Sequence, residues 1–117
     1  MWEASIDLAV RIVALSDRLA ARRRFAIADQ LVRAAISVPS NIAEGQGRFT
    51  TRDRRHYLVQ ARGSLYELET QLEIAVRAKL ATDVSGVSIL IKQISAGLTR
   101  MIHTLPLDDP KTRRRED

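Results

Sequence analysis

The chain has 117 residues, 45% of them hydrophobic, which is enough for one hydrophobic core and too few for two ordinary domains. With 28% charged residues, 5 Gly, 3 Pro and no low-complexity tract, the composition excludes disordered and collagen-like classes; the absence of cysteine excludes a disulfide framework, a thiolate metal site and cysteine catalysis. The formal net charge of +5 is the one global pointer to a partner, and it points to an anion.

Apolar spacing reads as helix almost everywhere and nothing reads as strand, with breaks near residues 21–25, 45–51 and 81–84. In the first segment Ile6, Val10 and Val13 form one apolar stripe and Leu8, Ile12, Leu15 and Leu19 a second, with Asp7, Arg11 and Arg18 on the wet face, so helix 1 is expected to be buried on two sides. Glu3, Asp7 and Arg11 also interrupt what a targeting or membrane segment would need to keep apolar. The longest uncharged stretch, Ala34 to Ala43, is about half a bilayer span and contains Pro39, Ser40 and Asn41, so no membrane helix and a cytoplasmic location are expected.

In the second segment Ile27, Leu31, Ala34 or Ala35, Val38 and Ile42 keep one register across Pro39. A prolyl ring there clashes with the carbonyl of Ala35 and removes a donor, which predicts a single kinked helix. Gly45 and Gly47 are expected to end it in left-handed conformations, and Thr50 with Asp53 to cap the third helix. Along that helix Tyr57, Ala61, Leu65, Leu68, Leu72, Ala75 and Val76 make the expected core stripe, leaving Val59, Tyr66 and Ile74 surplus to a monomer. Asp83 is a candidate cap for the fourth helix, whose Val84, Val87, Ile91, Ile94, Leu98, Met101 and Leu105 alternate steps of three and four like a bundle seam. The fold class that follows is all-α: an antiparallel up-down-up-down four-helix bundle over residues 1–105, followed by a flexible tail, 106–117. The surplus apolar positions on helices 1 and 3 predict self-association, with Val59, Tyr66 and Ile74 as interface residues.

The charge is unevenly placed. In the tail Lys111, Arg113, Arg114 and Arg115 are balanced by Asp108, Asp109, Glu116 and Asp117, so the net charge lies in the bundle. Residues 48–62 hold Arg48, Arg52, Arg54, Arg55 and Arg62 against Asp53 alone, a net +4. Arg22, Arg23 and Arg24 close helix 1, where the dipole favours cations. Arg52, Arg54 and Arg55 instead open helix 3, where it does not, and a local rule broken without visible compensation suggests function. Arg48, Arg52, Arg54 and Arg55 are therefore the candidate contacts to phosphate or another anion, approached through Gly45-Gln46-Gly47. The alternative is a solvated face, or ion pairs with Glu67, Glu69 and Glu73 of a neighbouring subunit. Phe49 and Tyr57 flank the cluster, but Tyr57 fits the core stripe and only Phe49 is free to stack on a base; with five aromatic residues in the whole chain no stacking platform is expected, so nucleic-acid binding would be chiefly phosphate-directed, weakly sequence-selective and strongly salt-dependent.

Catalytic signatures are missing. Asp53 and His56 give the di-iron Glu-x-x-His spacing only once and with Asp, His103 follows Arg100, and Gly45-Gln46-Gly47 follows a helix and lacks the rest of a nucleotide-binding fingerprint. No enzymatic activity, metal or cofactor is expected.

Two stretches carry a family resemblance. Arg33-Ala34-Ala35-Ile36-Ser37-Val38-Pro39-Ser40-Asn41-Ile42-Ala43-Glu44-Gly45 and Gly63-Ser64-Leu65-Tyr66-Glu67-Leu68-Glu69-Thr70-Gln71-Leu72 resemble the signatures of the bacterial four-helix-bundle proteins first named from intervening sequences in large-subunit ribosomal RNA genes. Trp2, Leu8, Gln30 and the Leu98 to Leu105 segment also fall where that family would place them, so the resemblance spans residues 2 to about 105. It departs at Arg22-Arg23-Arg24, where such proteins often have a turn with proline and acids. The resemblance implies an antiparallel bundle assembled as a ring-like homopentamer with no established enzymatic activity. The accessory protein of diversity-generating retroelements, a basic pentamer that engages nucleic acid and a reverse transcriptase, looks similar in fold, which adds RNA or DNA and a protein partner to the expected contacts. The family motif gives Pro39, Ser40, Asn41, Glu44, Gly45 and Gly63 a structural role: with Ser37, the polar residues satisfy backbone groups freed by Pro39 while facing Gly63 and Ser64. The expected function is a non-catalytic homo-oligomer binding nucleic acid through its arginines; the alternative is an oligomeric protein-interaction scaffold.

Overall fold

The computed structural model describes residues 1–106, which form four helices: α1 (Trp2–Ala21), α2 (Phe25–Gln46), α3 (Thr51–Arg77) and α4 (Ser85–Thr104). The tail expected from residue 106 onward lies, except for Pro106, outside the described residues. Helices adjacent in sequence are neighbours in space, and α4 closes the bundle by a lighter contact with α1. The molecule is elongated, 54 × 23 × 21 Å, in keeping with the 27-residue α3, whose rise alone gives about 40 Å.

The expected stripes supply the core, with some exchanges. Leu8, Ile12, Leu15 and Leu19 of α1 meet Leu31, Ala34, Ala35, Val38 and Ile42 of α2, and Leu65, Leu68 and Leu72 of α3 meet Ile91, Ile94 and Leu98 of α4 in one buried cluster. On α3 the stripe begins at Leu58 rather than Tyr57, and Val76 is exposed; on α2 Ala28 is buried and Ile27 only partly. On α4 Ile102 is buried, whereas Val84, Val87, Met101 and Leu105 are half-buried. Only one of the two α1 stripes is covered: Ile6, Val10 and Val13 stay exposed.

α2 runs unbroken through Pro39. The Ser40 hydroxyl donates to the Ile36 carbonyl at 2.8 Å and the Asn41 amide to the Ser37 carbonyl at 2.8 Å, so these side chains reinforce the carbonyls next to that of Ala35 rather than replacing its lost partner. Asn41 also donates to Ser37 Oγ at 2.9 Å, and Ser37 Oγ lies 2.7 Å from Ser64 Oγ, a polar link from α2 to α3. Gly63 takes no part: it is exposed and a Cβ there would meet nothing within 4 Å.

The turns use unexpected residues. Gly47 closes α2 at φ −86° and no glycine has positive φ among the described residues, so the left-handed ending expected of Gly45 and Gly47 does not occur. Gly45 is buried inside α2 for another reason: an added Cβ would sit 3.2 Å from the Cβ of Tyr57 and 3.5 Å from the carbonyl oxygen of Arg54, so its smallness sets the α2–α3 approach. The left-handed positions belong to Arg23, Lys79 and Asp83. After α1 the Arg24 amide donates to the Leu19 carbonyl at 2.9 Å and the Arg23 amide to that of Ala20 at 2.9 Å; after α3 the Leu80 amide reaches Ala75 at 2.8 Å and the Lys79 amide Val76 at 3.0 Å. Both are Schellman endings with a basic residue where glycine is usual. Thr50 does cap α3, its hydroxyl accepting from the Asp53 amide at 3.1 Å. Asp83 does not cap α4, whose N-cap is Val84; its carboxylate accepts from the Ser85 hydroxyl at 3.2 Å instead.

Candidate nucleic-acid interface and assembly face

The arginines of the α2–α3 turn gather at one end of the bundle, and the antiparallel order explains why they can. The N-terminus of α3 lies beside the C-terminus of α4, so the electropositive start of one helix adjoins the electronegative finish of the other. Arg55 exploits this, donating to the carbonyls of Leu105 and Pro106, each at 3.3 Å. Arg48 pairs with Glu44 at 2.9 Å, donates to the Tyr57 hydroxyl at 2.8 Å, and its guanidinium carbon lies 4.7 Å from the centre of that ring. Tyr57 is only half-buried, beside the core stripe rather than in it, and the His56 ring meets it edge-on at 5.2 Å. Arg54 donates from Nε to the Arg48 carbonyl at 3.0 Å. Compensation for cations at this helix start is thus visible in the fold. A guanidinium has five donors, and the bonds just described use one on Arg54 and two each on Arg48 and Arg55, so the cluster keeps capacity for an anion. Arg52 sits on the exposed side of the first turn of α3, as expected. Arg62, further along, donates to Thr99 of α4 at 3.4 Å.

The assembly residues read from the sequence, Val59, Tyr66 and Ile74, are all exposed along α3. Ile74 joins Glu69, Glu73, Arg77 and Lys92 around a half-open groove between α3 and α4, of about 590 Å³. A more apolar groove, about 500 Å³, lies between α1 and α2 and is walled by Trp2, Ile6, Val10, Val13, Ile36 and Pro39. The α1 stripe signals half of it. Ile36 falls outside the helix-2 core register and Pro39 is buried at its border, so that register gives no sign of the other half; their three-residue spacing, which makes them neighbours on the helix surface, is the signal that does.

Asp53, His56 and His103 are exposed, and no group of three His, Cys, Asp or Glu among the described residues could hold a metal ion. No helix among them is long and apolar enough to cross a membrane.

An antiparallel all-α bundle with an in-helix proline, a polar α2–α3 link at Ser37, Asn41 and Ser64, and a close-packed Gly45 is the class that fold and site define. The chain belongs to the family described as 23S rRNA-intervening sequence protein, which it matches over residues 1–103. It is similar to a solved protein of unknown function from the S23 ribosomal protein family of Bacteroides thetaiotaomicron VPI-5482, at 26% identity and a TM-score of 0.84 over 88% of this chain and 98% of that one. Comparison with curated proteins gave no match.

Proposed function

We propose that this is a non-catalytic cytoplasmic protein that assembles as a homopentamer and binds RNA or DNA through the phosphate backbone at its arginine-rich end. The observation that carries the reading is the separation of two surfaces on one small bundle: an uncovered apolar groove on α1 and α2, and a cluster of arginines at the α2–α3 turn. The groove and the α3 residues Val59, Tyr66 and Ile74 are different surfaces, so pairing one with the other between copies is heterologous, the kind of contact that closes into a ring when the rotation permits. The family resemblance supports five copies, and five times the chain's +5 would place +25 on one particle.

The test is light-scattering mass together with titration of structured RNA and duplex DNA at two salt concentrations, against a variant with Arg48, Arg52, Arg54 and Arg55 changed to Ser. On duplex DNA, removing one phosphate-binding arginine flattens the slope of log affinity against log salt by about 0.9. Because Arg48 and Arg55 also tie helices together, Arg54→Ser is run in parallel, with thermal melts of every variant. Equal binding and equal slopes for all proteins would overturn the nucleic-acid reading.

That outcome leaves an oligomeric protein-interaction scaffold, the second reading. It draws support from the intramolecular bonds of Arg48, Arg54 and Arg55 and from exposed Glu67, Glu69 and Glu73 on α3.

A further inference from the structure

Among the large apolar side chains of the described residues, Phe49 stands apart. It is 93% exposed, forgoing nearly all the burial energy open to it, and it lines neither of the two grooves between helices. Its backbone is nevertheless held on both sides. The Arg48 amide donates to the Gly45 carbonyl at 3.2 Å and the Arg48 carbonyl accepts from Arg54 Nε at 3.0 Å. Thr50 is buried, its carbonyl accepting from the Arg54 amide at 3.0 Å and its hydroxyl from that of Asp53 at 3.1 Å. The bonds therefore fix the backbone on both sides of Phe49 and leave its ring out in water, with Arg48 before it in sequence and Arg52 and Arg54 after it.

We infer that Phe49 stacks on an unpaired nucleobase while the neighbouring arginines take the flanking phosphates, so that the preferred polyanion is single-stranded or looped RNA or DNA rather than duplex. The inference rests on the reading of this end as a nucleic-acid surface. Base faces inside a duplex are covered by their neighbours, and only an unpaired base offers a face to a protruding ring. A base linked to phosphates combines the two features this tip complements, a flat π-surface and negative charge within one nucleotide. A protein partner would need an apolar pocket rimmed by acids. Of the two grooves a second copy would offer, the one between α1 and α2 is lined by no acidic residue, and the one between α3 and α4 sets Arg77 and Lys92 beside Glu69 and Glu73, so that its acids are offset.

The experiment measures binding of the full chain to a labelled single-stranded RNA of about ten nucleotides and to an RNA duplex of the same length, for wild type, Phe49→Ala, Phe49→Leu and Phe49→Tyr. Phe49→Ala and Phe49→Leu should weaken single-strand binding roughly 5- to 150-fold, the range for removal of one base–aromatic stack, while Phe49→Tyr keeps it and duplex binding moves little in all three. Equal losses on both polymers, wild-type single-strand binding by Phe49→Ala, or full rescue by Phe49→Leu would overturn the inference. So would a drop in the light-scattering mass of Phe49→Ala, which would make the ring a subunit contact. If Arg54→Ser weakens duplex binding while single strands ignore Phe49→Ala, the inference fails and the phosphate-binding function stands. If wild type binds neither polymer, both fail.

Discussion

Changing Val10 to Glu tests self-association through the α1–α2 groove without disturbing the monomer. Val10 is 62% exposed, the most exposed of the groove's large apolar side chains; Trp2, Ile6, Val13 and Ile36 expose 44, 38, 39 and 48%. Fully burying one such side chain contributes about 1.5–3 kcal/mol, so these fractions leave about 3–7 kcal/mol unrealised in an isolated chain. The same reckoning for Val59, Tyr66 and Ile74 of α3, at 41, 48 and 55%, adds about 2–4 kcal/mol. Association costs about 4–15 kcal/mol in lost freedom, so a contact that joins both surfaces, with about 5–11 kcal/mol between them, offsets more of that cost than either surface alone. In a monomer the introduced glutamate would stand in water on a helix it favours more than Val does, with an effect on folding within about 0.5 kcal/mol. In an assembly it gives up about 1–2 kcal/mol of apolar burial and forces a carboxylate out of water at several kcal/mol more. A total near 5 kcal/mol weakens each contact by more than about a thousandfold. Light scattering should find wild type as an oligomer at micromolar concentration and Val10→Glu as a monomer with unchanged far-UV circular dichroism. An oligomer of wild-type mass from Val10→Glu, or a monomeric wild type, would refute the reasoning.

Two other expectations address the backbone. Arg23 and Lys79 hold φ of 60° and 61°, a region costing a side-chain-bearing residue about 1–2 kcal/mol, whereas glycine adopts it freely at some cost in chain entropy. Arg23→Gly and Lys79→Gly should each stabilise by about 0.5–1 kcal/mol, raising the melting temperature by about 2–4 °C at fixed protein concentration; a fall in either case would show that what the side chain holds in place outweighs the strain. Pro39→Ala restores an amide donor for the Ala35 carbonyl, worth up to about 3 kcal/mol to a helix interior, and removes the ring from the groove wall. It should raise thermal stability while lowering the light-scattering mass, and wild-type values of both would deny the ring either role.

Helix number, order and limits are legible because four long segments carry a strong period, and a core of Leu8, Leu31, Leu65 and Leu98 follows from spacing alone. Features set by one helix's neighbours are not. Tyr57 and Leu58 start two readings of the stripe one residue apart; Leu58 is the buried one, while Tyr57 is half-buried and meets Arg48 of the preceding turn, a contact no helical period encodes. Glycine at 45 and 47 reads as a helix stop, yet Gly45 is needed for the approach of Tyr57, while the left-handed turns fall on Arg23 and Lys79. Composition signals a left-handed residue only where the unstrained solution, glycine, has been used. The second stripe of α1 is legible as apolar but not as uncovered, since a period fixes which residues share a face and not whether the same chain supplies a cover for it.

The arginine cluster shows the same boundary where it matters for function. Judged by α3 alone, Arg52, Arg54 and Arg55 oppose the helix dipole and their presence calls for a ligand. In the bundle the carbonyl end of α4 lies beside them, and Arg55 bonds to it while Arg48 ties Glu44 to Tyr57, so part of the charge has a purpose within the chain. Charge density therefore supports polyanion binding less strongly than the sequence suggests. The stronger argument moves to Phe49, because an exposed aromatic on a bonded turn has no such role in the fold: Arg48, Arg54 and Arg55 can be explained by what they hold together, and the ring that follows Arg48 in sequence cannot.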